Sequence, residues 1–411
     1  MIYFEKFILP NGLTVIVHPD KSTPLVAFNI LYNVGSRDED PEKTGFAHLF
    51  EHLMFGGSKN IPDYDEPLQK AGGENNAFTN NDITNYYLTI PKQNLEIAFW
   101  LESDRMAGLA FSKKSLDVQR NVVSEEFKQS YLNQPYGDVY LLLKPLAYKV
   151  HPYMWDTIGK DISHIQNAKI EDVKDFFTRF YCPNNAILVV SGDIEVSEIK
   201  YLSEKWFGPI PKGPNNKRNL PIEPEQKEER KLSVHRNVPL NAIYKAYHCC
   251  GRIDAEFYTV DLLSDILSNG KSSRLFQNLV MNKQLFSDVN AFLTGDIDKG
   301  LFIITGKLSN GISLEIAEEA IQGELNNIQC FQNKTELEKV KNKIEATLIF
   351  SEMSVLNKAM NLAFAELTGD ASQINEENKN YQKVTSTMIR NQAKQIFKNT
   401  NCSTLYYHSK K

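Results

Sequence analysis

A chain of 411 residues with 42% hydrophobic and 24% charged side chains has an ordinary globular composition, long enough for two or three domains with separate cores. A net charge of -5 and a pI near 6.0 leave no basic footprint for nucleic acid, and no window reaches the roughly 18 apolar residues of a membrane span. Five cysteines, an odd count without a C-x-x-C pair, argue against a disulfide framework and a thiolate metal site, and Cys249-Cys250 reads as buried strand.

The first residues, Met-Ile-Tyr-Phe-Glu-Lys-Phe-Ile-Leu-Pro-Asn-Gly, lack the basic start, apolar core and small-residue cleavage site of a signal peptide. A cytoplasmic location is therefore expected, or a periplasmic one if a signal peptide has been removed. Residues 3–19 alternate across a turn at Pro10-Asn11-Gly12 and predict a hairpin; residues 25–33 predict a further strand.

Residues 46–55, Phe-Ala-His-Leu-Phe-Glu-His-Leu-Met-Phe, read as a buried helix interrupted by three polar groups. Thr44 is the expected N-cap, Gly45 the opening and Gly56-Gly57 the stop. Positions i and i+4 share a helix face, so His48 and His52 present two imidazoles side by side, with Glu51 bordering them. A lone histidine on an apolar face is usually a satisfied core residue, and the other six are read that way. A chance His-x-x-Glu-His, by contrast, is expected in roughly one such chain in a hundred. Burying three ionisable groups is costly unless something coordinates them. Zinc fits: imidazole suits it, and a catalytic zinc keeps three protein ligands plus a water, which Glu51 is placed to hold.

Gly72-Gly73 ends a second short helix, and Asn76-Ala77-Phe78-Thr79 leads into a strand over 85–90. Helices are predicted over 95–106 and 113–131. The second carries Glu125 and Glu126, and two imidazoles leave a zinc site one ligand short. Adjacent helical residues point about 100° apart, so only one of the two acids can serve. A helix over 171–181 and a strand over 186–193 close the first half; a charged, proline-rich stretch, 208–231, is the best boundary in the chain. Beyond it Val-Pro-Leu-Asn-Ala-Ile-Tyr-Lys-Ala-Tyr (238–247) resembles Thr-Pro-Leu-Val-Ala-Phe-Asn-Ile-Leu-Tyr (23–32). Each is followed by Gly-Arg-Ile-Asp or Gly-Ser-Arg-Asp and then a helix, and the second helix, 259–267, has no histidine.

The order His-x-x-Glu-His is that of the inverzincins. Together with Gly-Ser-Arg-Asp-Glu (35–39), Gly-Gly-Glu-Asn-Asn-Ala-Phe-Thr (72–79), Asp-Ile-Thr-Asn-Tyr-Tyr (82–87), Asn-Val-Val-Ser-Glu-Glu (121–126) and His-Pro-Tyr (151–153), it resembles the pitrilysin, insulysin and mitochondrial processing peptidase family. The length resembles its short bacterial branch, in which two chains pair. With the internal repeat, the resemblance implies an α+β fold of two homologous domains, each a mainly antiparallel sheet with helices packed on it. Residues 1–207 would be the zinc-binding domain, 208–231 a linker and 232–411 the copy without a metal motif. It also implies Glu126 as third ligand of one Zn2+ per chain, with Glu125 the fallback, and Glu51 as catalytic base. Residues Asn76, Ala77, Phe78 and Thr79 would form an edge strand that pairs with the substrate backbone. Seven residues before Glu126, where many relatives have a further Glu, stands Gln119.

In many relatives an Arg and a Tyr seven residues apart steady the oxyanion; alignment puts those positions at Val280 and Ser287, and Arg274 is assigned to a structural Ser-Arg-Leu-Phe element, with a role as alternative donor left open. The expectation is a zinc-dependent endopeptidase for short or unfolded peptides, the catalytic subunit of a heterodimer whose paralogous partner brings the Arg/Tyr pair, with a homodimer as alternative. Competing readings are a non-catalytic family scaffold and a subunit that captures peptides without cleaving them.

Overall fold

The computed structural model describes residues 1–410. The expected hairpin is β1 (Glu5–Ile8) against β2 (Thr14–Pro19), closed by Gly12 at a φ of 91°. Then follow β3 (Leu25–Tyr32), α1 (Phe46–Leu53), α2 (Asp65–Lys70), β4 (Glu74–Thr79), β5 (Thr84–Pro91), α3 (Leu95–Ala107), α4 (Lys113–Phe127) and β6 (Ala186–Gly192). The helix expected to reach residue 131 ends its α-helical part at Phe127 and runs on as a π-helical turn, Lys128–Leu132.

The first sheet has the order β1-β2-β6-β3-β5-β4, antiparallel except for β2 beside β6. β3 and β6 are near-continuous apolar runs, the pattern of strands covered on both faces. On one face Phe28 meets Phe99 of α3 edge-on, ring centres 4.9 Å apart. On the other, Ile16, Ala27, Leu31, Ile187 and Val189 pack against Val355, Ala359, Leu362 and Ala363. These four line one stripe of a helix, Val355–Thr368, from far along the chain. Lys358 of that helix pairs with Asp20, and Lys6 with Glu366 at 3.0 Å.

The second sheet contains β7 (Arg230–Arg236), β8 (Ala242–His248), β9 (Phe286–Leu293), β10 (Leu301–Leu308) and β11 (Cys402–Ser409) in the order β7-β11-β8-β10-β9, with β7 parallel to β11. Removing β1 from the first sheet leaves β2-β6-β3-β5-β4, the same order with the same parallel pair. The repeat extends to the turn after each first long strand: Gly35 N–H donates to Asp38 and Gly251 N–H to Asp254. Both glycines lie so close to a neighbouring backbone that a Cβ would clash, at Asn81 and at Ile297. The expected α+β architecture of two homologous halves is therefore present.

The compact units are discontinuous in sequence, unlike the contiguous division 1–207, 208–231 and 232–411. The first comprises Met1–Gln129, Trp155–Leu220 and Ile349–Glu376; the second comprises Ser130–Met154, Pro221–Leu348 and the stretch from Glu377 onward. Each unit thus incorporates a helix from the other half of the sequence. In the second it is Val139–Ala147, whose Val139, Leu143 and Ala147 pack on Ala242, Tyr244 and Leu405. An apolar helix stripe satisfies its burial on whichever sheet face is bare, and both exchanged helices cover faces that would otherwise be wet. The stretch 208–231 is divided too: Arg218 grips Asp38 and Asn33 of the first unit, while Glu223 accepts the N–H groups of Lys149, Val150 and His151 in the second.

No described helix is long and apolar enough to cross a membrane. All five cysteines are free, and Cys249 is buried just past β8.

Candidate metal centre

Phe46, Ala47, Leu49, Phe50 and Leu53 bury one side of α1, where Phe50 stacks on Phe176 and Tyr181 at 4.9 and 5.1 Å. That anchorage turns the opposite side, with His48 and His52, toward α4. The helix does not start as expected. Thr44 hydrogen-bonds His164 through its hydroxyl instead of capping α1, and Gly45 is the N-cap, in the left-handed region at φ 88°. A Cβ there would meet the Ile158 carbonyl oxygen at 2.6 Å, so glycine is required on two counts. Lacking a side chain, Gly45 caps nothing. The carboxylate of Glu39 does so, accepting the N–H groups of Gly45 (2.9 Å) and Ala47 (2.8 Å) and the indole N–H of Trp155 (3.1 Å).

The Nε2 atoms of His48 and His52 lie 3.3 Å apart. Glu126 reaches them from α4, with Oε2 3.3 Å from His52 and Oε1 3.7 Å from His48. Glu125 turns away to Lys128 at 2.7 Å, as the angular offset between neighbours requires. Of the two candidate acids the fold brings Glu126 to the imidazoles and not Glu125. One donor atom from each of His48, His52 and Glu126 falls within a 4.8 Å cluster.

Those separations can be tested against zinc. Bonds of about 2.0–2.1 Å at tetrahedral angles place ligand atoms about 3.3–3.4 Å apart. The imidazole pair and the Glu126 Oε2–His52 pair match at 3.3 Å each, while His48 is approached by the other carboxylate oxygen, Oε1, at 3.7 Å. Protonation runs the same way. Burial holds the His48 pKa below the ordinary imidazole value against the attraction of Glu126, favouring the neutral ring. The hydrogen bond from His52 holds the Glu126 carboxyl below its usual range, favouring the anion. Both are the forms in which these side chains bind metal. The donor set fits zinc.

Glu51 borders the cluster, and its Oε2 accepts a hydrogen bond from the Thr79 hydroxyl at 2.6 Å, leaving Oε1 for another partner. Thr79 ends β4, the edge strand of the first sheet. On β4, Asn76 and Phe78 are exposed, Ala77 is buried, and the Ala77 N–H is covered by the side-chain oxygen of Asn76 at 2.8 Å. Beneath the site Arg105 and Glu102 form a buried ion pair, the guanidinium lying over Tyr86 and Tyr64.

In the second unit Val280 packs against the core, and the Ser287 hydroxyl donates to the Lys307 carbonyl at 3.2 Å. Arg274 is paired with Glu336 at 2.8 Å above Phe331. It belongs to the packing of its own unit, as expected.

Comparison with known proteins gives the family. A family model described as Insulinase (Peptidase family M16) matches residues 14–147, and one described as Peptidase M16 inactive domain matches residues 167–344. The chain belongs to peptidase family M16. Zinc protease PqqE of Helicobacter pylori is 29% identical over 409 residues, covering 98% of this chain and 92% of that one. The uncharacterized zinc protease YmxG of Bacillus subtilis is 27% identical over 363 residues, 86% of each. The crystal structure of a protease from H. pylori matches with a TM-score of 0.94 at 28% identity, covering 99% of this M16 chain and 100% of that one. Pitrilysin, at 18% identity and a TM-score of 0.77, shares the fold, and this chain spans 45% of it.

Sequence reasoning found His48, Glu51, His52 and the Glu125/Glu126 alternatives because they stand in contiguous patterns. It missed Glu39 and Trp155 as supports of α1 and the hydroxyl of Thr79 as a partner of Glu51. An acid six residues before a helix led by glycine is the signal that could have found Glu39.

Proposed function

We propose that this M16 chain is a zinc-dependent endopeptidase acting on short or unfolded peptides, with one zinc held by His48, His52 and Glu126. The observation that carries it is the convergence of two imidazole nitrogens and one carboxylate, one donor atom of each within 4.8 Å of the others. Zinc, when bound, supplies Lewis acidity toward the scissile carbonyl and a water of lowered pKa.

The chain's own residues do the rest. Glu51, held by Thr79 through one oxygen, uses the other to take a proton from the attacking water and pass it to the leaving amine. The free edge of β4 reads substrate through backbone hydrogen bonds, which suits a peptidase of broad sequence range. For this the Asn76 side chain has to swing off the Ala77 N–H.

Val280 and Ser287 supply no cation or phenol for the oxyanion, so a paralogous partner bringing an Arg/Tyr pair completes the site in a heterodimer. A homodimer would be short of the same groups. The test is hydrolysis of a mixed peptide library by the chain alone and with its paralogue, with and without chelator. Chelator-sensitive cleavage that Glu51→Gln abolishes without loss of zinc is expected. Peptides retained uncut would assign the chain to capture, and cleavage surviving Glu51→Gln would remove the proposed base.

A further inference from the structure

We infer that Glu39 is a positioning residue for the metal helix, setting zinc affinity by clamping the α1 N-terminus one residue before His48. The inference rests on the zinc reading above and goes beyond it in naming what fixes the ligands.

α1 has 8 residues, too short to hold itself together, and its first N–H groups have no partner within the helix. Gly45 offers no cap, and Thr44 is engaged with His164. Glu39 reaches both Gly45 and Ala47, six and eight residues further along the chain, while the Trp155 indole N–H, shared with the Ser36 carbonyl, donates to the oxygen that takes Gly45.

Glu39 is buried, and burial pushes its pKa up to about 8 against the pull of the three donors. Its two oxygens are therefore held by these N–H groups, which ties its position to theirs.

The second observation lies on His48. Metal-binding histidines commonly donate their other ring nitrogen to an outer partner that orients the ring. The Nδ1 of His48 is buried and has no such partner among the described residues. The direction of its Nε2 is therefore left to the backbone that carries it, and that backbone is held by Glu39.

The experiment uses the full chain stripped of zinc and compares wild type, Glu39→Gln, Glu39→Ala and Val340→Ala, the last a buried site in the second unit. Zinc affinity is read by competition with a chromophoric chelator, folding by circular dichroism and thermal unfolding, and amide exchange is followed at Ala47. An amide at position 39 turns its NH2 toward one of the three donors, so Glu39→Gln keeps the volume and breaks the clamp.

The expected result is a fall of about tenfold or more in zinc affinity for Glu39→Gln. Faster exchange at Ala47 in the zinc-free protein should accompany it, while Val340→Ala loses thermal stability and keeps wild-type affinity. Wild-type affinity in Glu39→Gln overturns the inference, as does an equal loss in Val340→Ala. Should Glu39→Ala fail to fold, Glu39→Gln decides. A wild-type chain that binds no zinc overturns this inference together with the reading beneath it, and is told apart by failing before any substitution is made.

Discussion

Thr79 and Glu51 share a 2.6 Å hydrogen bond, within the range of a hydroxyl donating to a carboxylate. Losing it frees the base to rotate, so Thr79→Val should lower kcat roughly tenfold, in line with the value of a hydrogen bond to a charged group. Zinc content should not change and Thr79→Ser should restore the rate; an unaltered kcat in Thr79→Val would reduce the contact to packing. Elsewhere Asp265, buried in the second unit with one oxygen unpartnered among the described residues, is pushed up to about 6 by its desolvation. A carboxyl whose folded pKa exceeds its unfolded value stabilises the fold in its neutral form. That contribution is complete below about pH 4 and lost as pH rises through about 6. Thermal unfolding from pH 4 to 7 should show stability falling by at most about 3 kcal/mol from this group. Asp265→Asn should flatten that slope, and a slope unchanged by the substitution would place its origin elsewhere.

α1 and its two histidines were legible because i, i+4 spacing within one helix needs no tertiary information. Glu126 was preferred over Glu125 only through the family resemblance: both acids sit on the same helix, and which faces α1 depends on how α4 is rotated in the fold. The start of α1 was misread at Thr44 because a threonine before a helix is a good cap in general. Here the left-handed Gly45 and the return of Glu39 override that preference. The edge strand β4 was legible by its motif, though its self-covering by Asn76 was not. Removing that cover with Asn76→Ala should lower KM several-fold, about the worth of one net hydrogen bond. A higher KM would instead assign the Asn76 side chain to substrate.

At the level of the whole chain, the exchange of helices between halves could not be read from sequence, because a helix stripe such as Val355, Ala359, Leu362 and Ala363 looks the same whichever sheet it covers. It has a direct consequence. A fragment of residues 1–207 leaves Ala27, Leu31 and Val189 without the helix Val355–Thr368 and should give no cooperative unfolding transition. In the full chain Leu362→Ala should cost about 2–5 kcal/mol. A cooperatively folding fragment would show that the exchanged helix is dispensable.

The central claim concerns three side chains and one ion, and zinc stoichiometry and affinity of the purified chain test it most directly, with Glu125→Gln and Glu126→Gln compared side by side. One zinc per chain, bound as in wild type by Glu125→Gln and lost or greatly weakened in Glu126→Gln, is the predicted result. Zinc held equally well by both variants, or by neither the variants nor the wild type, would contradict it.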